Sequence, residues 1–130
     1  MKKNGTMIVG IADATVKLAE ASARVIKKAK DSGLFTTQEI SFIVSFFNEM
    51  LKEPNQYVEK VKNLLIPKQN VSEDEKEKQL LHMHSNMRRN QAETRKIEKS
   101  FERLVNLRIK RSSDMEEVKD IFKTSYKSEK

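Results

Sequence analysis

Apolar residues recur along most of this chain at spacings of three and four, the period of helices that bury one face. The first such stretch runs from about Thr6 to Asp31 and places Ile8, Ile11, Thr15, Leu18, Ser22, Val25 and Ala29 on one line. Alanines at 12, 14, 19, 21, 23 and 29 surround that line with small side chains, so another helix backbone can approach closely. Gly33 follows "KKAKDS" and supplies a left-handed stop, with lysines at the negative end of the helix dipole.

The next boundary has a full chemical signature. In "LFTTQEI", Thr36 caps a helix, Glu39 reaches back to the cap amide, and Phe35 and Ile40 take the two hydrophobic-staple positions. Ile40, Phe42, Ile43, Val44, Phe46, Phe47, Met50 and Leu51 then cover about 200° of the wheel, beyond the ~100° stripe of a surface helix. That breadth predicts a core helix with more than one neighbour. Pro54 suits the first turn of a third helix, whose apolar residues are Tyr57, Val58, Val61, Leu64 and Leu65 and which Pro67 ends.

"PKQNV" reads as a linker, and Ser72 with Glu75 forms a second capping box that opens a fourth helix reaching to about Arg111. Its apolar line is narrow: Leu80, Met83, Met87, Asn90, Thr94, Ile97, Phe101 and Leu104 form a heptad seam with two polar layers in the middle. Unbroken, its ~38 residues would extend roughly 57 Å. Ser113 and Glu116 offer a third capping box for a last helix bearing Met115, Val118, Ile121, Phe122 and Tyr126.

These patterns predict an all-α protein. Residues 1–66 form a three-helix unit, 67–72 a linker, and 73–130 a long basic amphipathic helix plus a short C-terminal helix. The whole is a helical bundle or a coiled-coil hairpin, and the two parts can pack as one domain. Composition agrees: charged residues make up 35% of the 130, with only three Gly and two Pro, a vocabulary of long helices rather than tight turns.

The absence of cysteine removes disulfides, thiol nucleophiles and Cys-based metal sites, and suits a reducing compartment such as the cytoplasm. No apolar run approaches the ~18 residues of a membrane span. The start, "MKKNGTMIVGIADA", resembles a signal peptide only faintly, because its apolar core is short, holds Gly10 and runs on into the helical pattern. No phosphate-binding Gly loop, HExxH or nucleophile elbow is present, so the expectation is a non-enzyme without cofactor.

The two histidines, His82 and His84, stand two apart on a helix and therefore point about 200° apart. The positions three and four away from them hold no carboxylate, Cys or His, so no zinc set forms and no metal is expected. Met83 and Met87 read as adaptable core residues.

Charge changes the picture more. The chain carries a formal +7, and residues 82–111 hold nine Lys or Arg against three Glu. Arg88, Arg89, Arg95, Lys96, Lys99, Arg103 and Lys110 fall within an arc of about 120° opposite the seam, and no acid interrupts it. Helices of this kind usually interleave signs, but the local pairs here are few, mainly Glu93–Lys96 and Arg95–Glu98. Such a ridge, rising about 33 Å from Arg88 to Lys110, suits an acidic partner or sequence-independent contact with nucleic-acid phosphates. No aromatic residue interleaves it for base stacking.

The seam allows self-association. Two copies paired antiparallel about position 92 would match Met87 with Ile97, Met83 with Phe101 and Leu80 with Leu104. They would also set "EDEKE" beside Arg108, Lys110 and Arg111 of the other copy. The same seam equally fits the first helix of its own chain. The functional expectation is a non-catalytic interaction or regulatory protein that binds a macromolecular partner through helix surfaces, as an oligomer; the alternative is a nucleic-acid-binding protein.

Overall fold

The structure is a computed structural model that describes residues 2–66, 71–109 and 118–122. It is all-helical, with α1 at Lys2–Ser32, α2 at Thr37–Met50, α3 at Lys52–Leu64 and α4 at Glu73–Arg108. A further helical segment covers residues 118–122. The expected linker falls mostly outside the described residues, as do the Ser113–Glu116 capping box, Met115 and Tyr126.

The helix stop at Gly33 and the α2 capping box form as expected, and the α4 box forms in part. Gly33 has φ 71°, the left-handed conformation that ends α1. At α2, the Glu39 amide donates to Thr36 Oγ1 at 3.1 Å and the Thr36 amide donates to Glu39 Oε1 at 3.0 Å, completing the capping box. At α4 only half of the expected box forms. The Glu75 amide donates to Ser72 Oγ at 3.1 Å, while the Glu75 carboxylate accepts from Gln79 at 3.3 Å instead of returning to the cap.

Between α2 and α3 the chain barely leaves the helical region: Leu51, at φ −80° and ψ −7°, ends one helix and starts the next. Pro54 lacks the N–H that would bond Met50, and its ring crowds that carbonyl, so a single residue separates the two helices. α1 begins four residues before the expected Thr6, and α4 ends at Arg108 rather than Arg111.

The order of contacts along α1 and α4 gives their relative direction. Gly10 lies under His84, Arg24 pairs with Glu98, and Leu34 accepts from Arg108, each pair separated by 74 positions. The two long helices therefore run parallel and in register, and α2 with α3 carries the chain back between them. Of the bundle and the hairpin that the sequence allows, the bundle is formed.

One apolar core joins all the elements, so the division at residue 66 separates segments of chain and not separate cores. Ile11, Leu18, Val25 and Ala29 of α1 meet Leu80, Met83, Met87, Ile97, Phe101 and Leu104 of α4, while Ile43, Phe47 and Met50 enter from α2. Phe35 stacks on Phe101 with ring centroids 5.1 Å apart. The second side of the broad α2 arc receives Phe122, which packs edge-on against Phe46 at 5.1 Å and Phe47 at 5.7 Å.

Three polar seam residues find partners within the chain. Ser22 and Thr15 donate to carbonyls four residues back on α1, and Thr94 donates to the Met50 sulfur at 3.5 Å. At the other end of the pair, Gly10 marks a close approach. A Cβ there would lie 2.6 Å from His84 Nε2, so the imidazole occupies the space that any larger residue would need.

Candidate interaction surface

α4 carries two faces with different fates. On the inner face Leu80, Met83, Met87, Thr94, Ile97, Phe101 and Leu104 are buried and Asn90 is half-buried, all within a single chain. The principal neighbour of this seam is α1. A second copy could reach it only by displacing α1.

The histidines diverge as helical geometry requires. His84 turns to α1 and covers Gly10. His82 stays exposed on the α3 side, where the Asn86 amide lies 3.3 Å from His82 Nε2 and donates to the Tyr57 hydroxyl at 2.7 Å. Burial pushes the Tyr57 hydroxyl above its ordinary value, opposed by that Asn86 hydrogen bond. Among the described residues no group of three His, Cys, Asp or Glu is placed to hold a metal ion. None of the described helices is long and apolar enough to cross a membrane.

The outer face holds the cations. Arg88, Arg89, Arg95, Lys96, Lys99 and Arg103 are all exposed, and their ridge rises about 22 Å along α4. Lys110 lies outside the described residues. The structure alters the expected pairing within this set. Glu98 does not answer Arg95; it forms a two-pronged ion pair with Arg24 of α1, at 2.8 and 3.1 Å. A partner 74 residues away has the fork geometry that a neighbour three positions along the same helix lacks.

Arg95 is thereby left to the ridge. Among the described residues Arg88, Arg95 and Lys99 make no ion pair; Lys96 meets Glu93 only at 3.7 Å, and Arg103 donates to Ser100. Arg89 donates to Asn86 Oδ1 at 3.0 Å.

Arg108 belongs elsewhere, and the sequence reading placed it wrongly among the cations available to a second chain. Its guanidinium donates to both Glu39 oxygens at 2.8 Å and to the Leu34 carbonyl at 3.3 Å, over the Phe35 ring at 4.8 Å. The Arg108 and Glu39 side chains are only 1% and 2% exposed. Burial alone would raise the Glu39 carboxyl, but the Arg108 hydrogen bonds, the Thr36 amide and the Arg108 charge outweigh it and hold the group below the usual carboxylate range. Glu39 thus caps α2 and anchors the far end of α4.

One signal for this was present in the sequence. Arg108 continues the seam spacing, four residues beyond Leu104, so a charge stands where the heptad calls for an apolar residue. Comparisons with protein families, curated proteins and solved structures find no match for the chain.

Proposed function

We propose that the chain is a non-catalytic interaction protein that binds an acidic macromolecular partner through the outward face of α4, in a cytoplasmic regulatory or adaptor role. One observation carries this: six exposed cations share an acid-free arc of a single helix whose opposite, apolar face is covered by its own chain. Like charges lined along one helix repel one another at a small cost to the fold. An acidic partner turns that cost into attraction and steers its approach. The seam that would otherwise serve self-association is covered by α1, which supports the ridge as the docking face.

The experiment is capture from an extract of the native host at low salt. Bait would be the wild-type chain and, in parallel, Arg95→Glu/Lys99→Glu/Arg103→Glu. All three positions are exposed, so the variant is expected to melt within a few degrees of wild type, about what 1 kcal/mol moves a domain of this size. Wild type should retain acidic macromolecules that the variant loses. Retention of the same set by both would overturn the proposal.

A further inference from the structure

α2 carries more apolar surface than its side of the α1–α4 core needs. Ile43, Phe47 and Met50 are buried in the shared core, while Phe42 and Phe46, both half-buried, continue the apolar arc round the helix. That second side is covered by the chain's own segment 118–122. Val118 and Phe122 are 0% exposed, and Ile121 packs against the same cluster. The rings of Phe46, Phe47 and Phe122 meet edge to face, with centroid separations of 5.1, 5.3 and 5.7 Å, the arrangement that aromatic quadrupoles favour.

The covering segment has the pattern of a ligand helix. In residues 113–130 the apolar side chains Met115, Val118, Ile121, Phe122 and Tyr126 recur at spacings of three and four, and all the others are polar or charged. A peptide of this length is only marginally helical alone in water, so its helix depends on packing the apolar face.

The length of the tether allows the segment to leave and return. Arg108 is clamped to Glu39 in the first turn of α2, and Phe46 lies seven residues further along that helix, a rise of about 10 Å. The eight residues 110–117 can reach about 26 Å when extended. Segment 118–122 can therefore quit α2 while the Arg108 clasp stays closed. A short tether also holds it near its seat at an effective concentration on the order of millimolar. A weak contact within the chain is then enough to fill the seat, and an incoming helix must compete with it.

We propose that this face of α2 is a docking groove for an amphipathic helix of another protein, and that residues 118–122 occupy it as an internal strap in the absence of that partner. The strap states the chemistry of the partner: apolar residues at i, i+3 and i+4, with an aromatic ring at i+4 to meet Phe46 and Phe47 edge-on. Recognition is of the helix-in-groove kind. It involves no residue of the α4 ridge, so either reading can fail without the other.

The test uses the full chain and a fluorescein-labelled peptide of residues 113–130, read by anisotropy. In the wild type the strap fills the groove, and the peptide should bind weakly. Phe122→Asp expels the strap, and the same peptide should then bind at least tenfold more tightly. Adding Phe46→Asp to that chain should remove the gain. Phe122→Ala, which loosens the strap without a charge, should fall between wild type and Phe122→Asp. A peptide that itself carries Phe122→Leu should bind several-fold more weakly than the parent peptide, having lost the edge-to-face contacts. Phe122→Asp should keep a cooperative melt; loss of cooperative folding would make 118–122 an integral part of the core and overturn the proposal. Equal peptide binding by wild type and Phe122→Asp, or none by either, would also overturn it. A wild-type dimer that Phe122→Asp converts to a monomer would make the occupant the tail of a second copy and overturn the assignment to another protein.

Discussion

Phe101→Asp is expected to abolish cooperative folding of the whole bundle, including α1 to α3. Phe101 is 1% exposed, stacks on Phe35 and sits in the core shared by α1 and α4. Truncating such a ring costs about 3–5 kcal/mol, and stranding a carboxylate without a partner adds several more. The sum rivals the roughly 5–15 kcal/mol that holds an ordinary domain together. Far-ultraviolet circular dichroism should show helix lost across the chain and no sigmoidal melt, while Phe101→Leu keeps a cooperative transition at lower temperature. A variant that stays helical and merely changes its size in solution would instead mark the seam as a contact between chains.

The second large effect belongs to the buried ion pair. Glu39→Ala is expected to cost about 3–5 kcal/mol, because it leaves the Arg108 guanidinium enclosed without its counter-charge. It also removes the carboxylate that receives the Thr36 amide. The pair itself is not worth that much, since desolvation of both groups offsets most of their attraction. Glu39→Met/Arg108→Met should therefore be far less damaging than either single change.

Acid should expose the same interaction. The folded Glu39 carboxyl is held below its unfolded value of about 4.3. Its contribution is therefore complete above that range and disappears as pH falls through the lower folded value. The stability gap between wild type and Glu39→Gln in urea should be wide at neutral pH and close at strongly acid pH. A gap that does not vary with pH would mean that Glu39 is not ionised in the fold.

What could be read from the sequence follows the range of each interaction. The α2 start was fully legible because Thr36, Glu39, Phe35 and Ile40 make their signature within six residues. The seam and the ridge were legible because both follow from one helical period on one segment. The parallel direction of α1 and α4 was not, since spacings of three and four read the same whichever way a partner helix runs. Nor was the capture of Glu98 by Arg24 or of Glu39 by Arg108, which join residues 74 and 69 positions apart. Gly10 shows the same limit: it read as an interruption in an apolar run, yet its missing side chain makes room for His84.

Whether the α4 seam is closed by α1 of the same chain is decided most directly by a distance measurement. The chain has no cysteine, so spin labels can be placed at will. Lys28 of α1 and Glu102 of α4 are both exposed and border the same groove between the two helices. Labels on Lys28→Cys/Glu102→Cys should report one short distance that persists when the labelled chain is diluted into an excess of unlabelled chain. A short distance that vanishes on dilution would place the α1–α4 contact between two molecules and contradict closure of the seam within one chain.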